Sequence, residues 1–211
     1  MIKSKIKICG IRKIDTIDCC IKNEVDFFGL IFYRKSPRNI SIDGAKILLD
    51  YSKNKNISSV GVFVNEKIEN LNKLLKNLKL DFIQLHGAEN DTYIQAIKKN
   101  HDIKIIKAIS IQNKNDFEKT LHYKKVDMFL FDYKPSKNEL PGGNAKKFNW
   151  SLLKNIKINK PFFLSGGISI KNINNIKKHI IPYGIDISSG VEVKSGIKNN
   201  TKITSLINSY E

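Results

Sequence analysis

Short apolar runs rich in Ile, Val and Phe recur along the chain, at residues 6–9, 27–32, 60–64, 82–85, 103–109, 128–131, 162–164 and 185–187. Their length and β-branched content predict buried strands. Between them, apolar residues return every three or four positions, the period of a helix with one face turned inward. Helices are predicted at 15–23, with Ile14, Ile17 and Ile21 on one face, at 42–52, and over a stripe formed by Ile68, Leu71, Leu74, Leu75 and Leu78. Further helical segments are predicted at 92–99, 114–123, 150–155, 172–178 and 198–208.

Strict alternation of strand and helix requires a parallel sheet, because parallel neighbours need a crossover between them. Eight such units point to a closed (β/α)8 TIM barrel rather than an open, doubly wound sheet. At 211 residues the chain is near the lower limit for that fold. It therefore reads as one domain, 1–211, with short loops and few insertions. The longest polar stretch lies between the sixth run and the sixth helix and contains Pro141-Gly142-Gly143. A loop of that length in so small a barrel is expected to have a function.

Hydrophobic residues make up 41% of the chain, too many for a disordered segment. Lys and Arg number 37 against 20 Asp and Glu, a formal charge of +17, and such a balance often marks a nucleic-acid binder. The cations, however, are 34 Lys and only three Arg, namely Arg12, Arg34 and Arg38. Ile and Asn are abundant as well, which fits compositional drift better than nucleic-acid readout, where the planar Arg fork is favoured. The lysines are spread over all helices and read as solvated surface, so nucleic acid is not an expected partner. Cys9, Cys19 and Cys20 cannot staple a fold of this size, and free thiols suit a reducing cytoplasm. No long apolar run follows Met1-Ile2-Lys3-Ser4-Lys5, and no apolar stretch of about 18 residues exists, so neither secretion nor membrane insertion is expected.

In such a barrel the chemistry sits at the carboxyl ends of the strands. The residues ending the runs are Cys9-Gly10, Tyr33 with the loop to Arg38, Asn65, His86-Gly87, Ser110, Asp132, Ser165-Gly166-Gly167 and Ser188-Ser189-Gly190. The last two sets bring Gly166, Gly167, Ser189 and Gly190 to adjacent loops, where unhindered backbone N–H groups suit a phosphate. Cys9 and Asp132 are the candidate proton movers. Alternation puts Lys5, Lys7 and Cys9 on one face, so Lys7 is expected inside the barrel, where its ammonium would favour the thiolate and lower its pKa. As a small packing residue, Cys9 would need none of this. Asp132 follows an apolar strand, which fits a carboxyl with a raised pKa acting as an acid, or a cap, or a lysine partner. His86 shares the parity of Gln84 and fits a structural or a functional histidine equally. No His, Cys and carboxylate cluster has metal-ligand spacing, and Walker, nucleophile-elbow and Gly-x-Gly-x-x-Gly motifs are absent. Neither metal nor cofactor is expected.

These pieces fall in a telling order. Lys7-Ile8-Cys9-Gly10-Ile11, Phe32-Tyr33-Arg34-Lys35-Ser36-Pro37-Arg38, Val60-Gly61-Val62-Phe63-Val64-Asn65 and Ile83-Gln84-Leu85-His86-Gly87 come first. Asp132, Gly142-Gly143 with Phe148-Asn149-Trp150, Leu164-Ser165-Gly166-Gly167 and Asp186-Ile187-Ser188-Ser189-Gly190-Val191-Glu192 follow. Over nearly its whole length the chain resembles the phosphoribosylanthranilate isomerases of tryptophan biosynthesis. The resemblance implies an Amadori rearrangement of N-(5-phosphoribosyl)anthranilate to 1-(2-carboxyphenylamino)-1-deoxyribulose 5-phosphate, with no cofactor. It implies Asp132 as the general acid at the ribose ring oxygen and Cys9 as the general base at the sugar C2. It further implies Arg38 as the grip on the anthranilate carboxylate, and the loops of Gly166, Gly167, Ser189 and Gly190 as the grip on the phosphate.

Two positions depart from the family pattern. Gly142-Gly143-Asn144-Ala145 stands where the family usually has Gly-Gly-Thr-Gly, so Ala145 is expected to stiffen the loop over the substrate. Asn149 replaces a common Asp before the Trp, and as a helix cap it serves about as well. Sister phosphate-binding barrels, such as indole-glycerol-phosphate or thiamine-phosphate synthases, are not recognised by a Cys9 and Asp132 pairing. A basic RNA-binding domain would need lysines and aromatics interleaved on one face. The partner expected is thus a small phosphorylated substrate, and the sequence leaves open which helical face, if any, meets another enzyme of the tryptophan pathway.

Overall fold

The computed structural model describes residues 4–136, 138–140, 142–143, 145–154 and 156–210. The apolar runs become β1 (Lys5–Cys9), β2 (Phe27–Ile31), β3 (Ser58–Phe63), β4 (Phe82–Leu85), β5 (Lys104–Ile111), β6 (Met128–Tyr133), β7 (Phe162–Leu164) and β8 (Gly184–Ile187). Each strand pairs in parallel with the next, and β8 returns to β1 with Asp186 opposite Lys7, so the sheet closes into a (β/α)8 barrel. Strand alternation sends one set of side chains into the barrel, where Phe27 meets Phe82 and Phe163 edge to face at 5.4 and 5.3 Å. The other set packs beneath the outer helices.

Those helices are α1 (Ile14–Lys22), α2 (Ile42–Ser52), α3 (Ile68–Asn77), α4 (Asp91–Asn100) and α5 (Asn200–Ser209). Ser41, Asn90 and Asn199 start α2, α4 and α5 by accepting backbone N–H bonds from Gly44, Tyr93 and Lys202. In α1 the buried face is Thr16, Ile17 and Cys20, and Ile14 is 40% exposed, outside the stripe predicted for it. After β5, β6 and β7 the crossovers are 3-10 helices, Lys114–His122, Trp150–Leu153 and Ile173–Lys178, where α-helices are predicted. The segments explain this themselves. Asn115, Asp116 and Thr120 compete with helical backbone bonds, and Ile173 and Ile176 repeat at the three-residue period of a 3-10 helix.

A second difference lies near the carboxyl terminus. Lys198, predicted to open the last helix, belongs to an antiparallel hairpin of β9 (Glu192–Lys194) and β10 (Ile197–Lys198), turned at Gly196 with φ +82°. The expectation that the lysines are all solvated surface also fails beyond Lys7. Lys107 and Lys198 are interior too, because each faces a buried carboxylate: Glu89 at 3.0 Å and Glu192 at 2.8 Å.

At the opposite end of the barrel, three aspartates tie strands together. Asp26, Asp81 and Asp127 each sit just before a strand and accept the backbone N–H of Ile6, Ser59 and Ile105 on the preceding strand, at 2.7–2.8 Å. This face carries cohesion and leaves the other free for chemistry.

Candidate active site

The carboxyl ends of the strands surround one cleft, into which Cys9, Arg38, His86, Asp132, Ser165 and Ser188 all project. β1 brings Cys9 to its rim with Lys7 one inward position below. On the neighbouring strand, a Cβ at Gly29 would come within 2.7 Å of the Cys9 Sγ, so glycine is what gives the thiol its room. Lys7 is fully buried, and its Nζ lies 2.8 Å from Oδ1 of Asp186 on β8.

This arrangement corrects the expected lowering of the Cys9 pKa. Burial pushes the thiol above its ordinary value; Lys7 pulls it down, Asp186 pushes it up again and Lys198 pulls it down, with burial prevailing. For Lys7, burial acts against the charge, but Asp186 and, when ionised, Cys9 outweigh it and hold the ammonium's pKa above ordinary. Burial thus favours the neutral thiol of Cys9, beside a cation already shared with a carboxylate.

Across the cleft, Asp132 lies within β6 rather than after it, since the strand runs on to Tyr133. Its Oδ1 accepts the Tyr133 N–H at 2.7 Å, and its Oδ2 faces His86 Nε2 at 3.4 Å. His86 Nδ1 lies 2.7 Å from the Gln84 amide nitrogen. With that nitrogen donating, Nδ1 is the acceptor and Nε2 carries the proton directed at Asp132. The Gln84 Oε1 is buried without a partner among the described residues.

The loop after β2 carries Arg38 inward, 6% exposed. Its Nε and Nη2 each lie 2.8 Å from an oxygen of Glu192, and Nη2 reaches the Gly143 carbonyl at 3.5 Å. Lys198 donates to the same carboxylate at 2.8 Å and to the carbonyl of Ser188 at 3.0 Å. Burial alone would raise the Glu192 pKa, but Arg38 and Lys198 outweigh it and hold it below the ordinary value. Burial pushes Lys198 down in spite of Glu192.

The loops after β7 and β8 meet behind Ser165 and Ser188. Gly166 and Gly167 are left-handed, with φ +90° and +61°, and the Gly190 backbone lies so close to the Ile168 carbonyl that no Cβ fits between them. In the loop after β6, Pro141 and Asn144 lie outside the described residues, as does Asn155 at the end of the predicted sixth helix. Ala145 holds φ +56°, which is the physical reason the family pattern has glycine there. Asn149 caps the following 3-10 helix through Ser151 N at 3.1 Å.

The cleft thus gathers Cys9, Arg38, His86 and Asp132, with Gly166, Gly167, Ser189 and Gly190 in the loops beside it and Lys7 below, reaching it through Cys9 and Asp186. Asp186, Gln84 and Glu192 stand in the motifs without an assigned role, and Lys198 stands in none. The parity that turns Ser188 inward also turns Asp186 inward and would have found it. Lys198 carries no such signal, because it reads as the first residue of the predicted last helix.

Fold and cleft together define a barrel enzyme with a thiol and a carboxyl facing one another across its mouth. The family described as N-(5'-phosphoribosyl)anthranilate (PRA) isomerase matches residues 6–209. N-(5'-phosphoribosyl)anthranilate isomerase of Thermoanaerobacter pseudethanolicus is 41% identical over 203 residues, covering 96% of each chain. Its counterpart in Clostridium acetobutylicum is 39% identical over 205 residues, again covering 96% of each. The crystal structure of the enzyme from Thermotoga maritima superposes with a TM-score of 0.87 at 31% identity over 98% of both chains. The chain belongs to the phosphoribosylanthranilate isomerase family.

Proposed function

We infer that this chain catalyses the Amadori rearrangement of N-(5'-phosphoribosyl)anthranilate to 1-(2-carboxyphenylamino)-1-deoxyribulose 5-phosphate in tryptophan biosynthesis, with Asp132 as general acid and Cys9 as general base. Asp132 gives its proton to the ribose ring oxygen as the C1–O bond breaks, and the anilino nitrogen lone pair forms the C1=N bond of the imine. Cys9, as thiolate, takes the proton from C2, and the electrons of that bond pass to C1=C2 while C1=N becomes the enolamine C–N. Proton uptake at C1 and loss from the C2 hydroxyl then give the ketone, so no proton is gained or lost overall.

What supports this reading above all is the convergence of Cys9, from the first strand, and Asp132, from the sixth, on one cleft. His86 stands where it donates to the carboxylate left after proton transfer. The Lys7 ammonium favours the thiolate that the base step requires. Arg38 holds the anthranilate carboxylate by a guanidinium fork, and Gly166, Gly167, Ser189 and Gly190 hold the phosphate through backbone N–H groups. A structure of a relative, with a TM-score of 0.83 at 29% identity, contains a reduced form of the product. On this reading the ligand is a small phosphorylated molecule, nucleic acid and membrane are not partners, and three free thiols suit a cytoplasmic setting.

The test is the fluorescence of freshly prepared phosphoribosylanthranilate on addition of the protein. A loss that follows enzyme concentration is expected, and no loss at micromolar enzyme overturns the reading.

A further inference from the structure

We propose that Glu192, on the hairpin after β8, is a positioning residue that aims Arg38 at the substrate and so sets the preference for a carboxylated ring. The proposal rests on the reading of Arg38 as the carboxylate grip. A guanidinium has two edges that can each take a carboxylate with two parallel bonds. Glu192 occupies one of them, with Nε and Nη2 each at 2.8 Å from its two oxygens. The remaining donors belong to the other edge: Nη1 has no acceptor among the described residues, and Nη2 has only the distant Gly143 carbonyl at 3.5 Å. Arg38 lines the cleft together with Gly143, which lies against Nη1.

An arginine side chain loses rotamer freedom when it is held in one geometry, and Glu192 imposes that loss before the ligand arrives. Glu192 is itself fixed. It is buried, and Lys198 donates to its Oε1 at 2.8 Å while Lys202 donates to its backbone carbonyl at 2.7 Å. Lys198 also balances charge. One carboxylate between two buried cations leaves a net positive cluster, so a second carboxylate arriving from the cleft completes the pairing. The hairpin that departs from the minimal barrel is thereby what turns an interior arginine into a reader.

Binding of the reduced product, with and without its ring carboxylate, tests this by titration calorimetry. The wild-type chain is expected to favour the carboxylated ligand, and Glu192→Gln to lose about tenfold or more of that preference while its affinity for the carboxylate-free ligand moves less than about twofold. In turnover, KM is expected to rise far more than kcat falls. Equal weakening of both ligands, or an unchanged preference, overturns the proposal. If Glu192→Gln does not fold, Arg38→Lys keeps the charge but cannot hold Glu192 by one edge while presenting the other. It is expected to lose the preference too, and full preference in that variant overturns the proposal. A wild-type chain without preference, or one unaffected by Arg38→Ala, overturns the carboxylate reading of Arg38 and this inference with it, whereas turnover of phosphoribosylanthranilate is measured separately and stands or falls alone.

Discussion

Nζ of Lys7 lies 2.8 Å from Oδ1 of Asp186, its partner across the β1–β8 pairing that closes the barrel, directly beneath the Cys9 thiol. The cation that favours the thiolate is therefore held by a carboxylate that opposes it, and burial decides the outcome in favour of the thiol. The reaction needs one proton on the Cys9 and Asp132 pair, on the carboxyl and off the thiol. kcat/KM is therefore expected to be highest where the pair carries one proton and to fall as the last proton leaves it.

That last proton is the thiol's, and its pKa is raised, so the alkaline limb of kcat/KM should lie above the ordinary thiol value of about 8.5. Asp186→Asn removes a negative charge that pushes the thiol up and should move this limb to lower pH; Lys7→Met should move it higher. A limb that ignores both substitutions would remove the pair from the thiol's control.

Cys9→Ala and Asp132→Asn should each lower kcat by about 100-fold or more, the scale of a lost general base or acid, with far-UV circular dichroism unchanged. Asp132→Asn is nearly isosteric and Cys9→Ala removes one atom beside Gly29, so neither disturbs the strands. Near-normal turnover in either variant would sink the role assigned to that residue.

Most of the architecture was legible because the barrel's two cores impose the strand period and the helix period on separate segments. The same rule placed Lys7 inside. Legibility failed where tertiary contacts override local pattern. The β9–β10 hairpin shows no strand run in sequence, and its last residue, Lys198, reads as the start of a helix, yet Glu192 and Lys198 are drawn inward by Arg38, a partner 154 residues from Glu192. The pKa of Cys9 failed for a related reason. A neighbouring lysine is visible from spacing, whereas Asp186 and the depth of burial arrive from β8 and from the closed sheet.

At the far face, Asp81 accepts from both the N–H and the hydroxyl of Ser59 at 2.7 Å. Asp81→Ala leaves both donors unpaired and should cost about 1–3 kcal/mol of stability, read from urea unfolding. Because this contact lies at the end of the barrel remote from the cleft, kcat and KM should not move. A loss of activity larger than the loss of folded protein would contradict the division between a cohesive face and a chemical one.

Glu192 also links the site to acid stability. Its folded pKa is depressed by Arg38 and Lys198, so its contribution is present above its unfolded value of about 4.3 and is lost as pH falls through the lower folded value. At pH 7, Glu192→Gln leaves two buried cations without their carboxylate and should be the less stable protein. As the medium is acidified through the window below about pH 4.3, the wild-type carboxylate takes up a proton and approaches the amide in charge. The difference in unfolding free energy between the two proteins should therefore shrink across that window. A difference that stays constant with pH would mean that Glu192 stabilises the fold by packing alone, with its charge already matched in the unfolded chain.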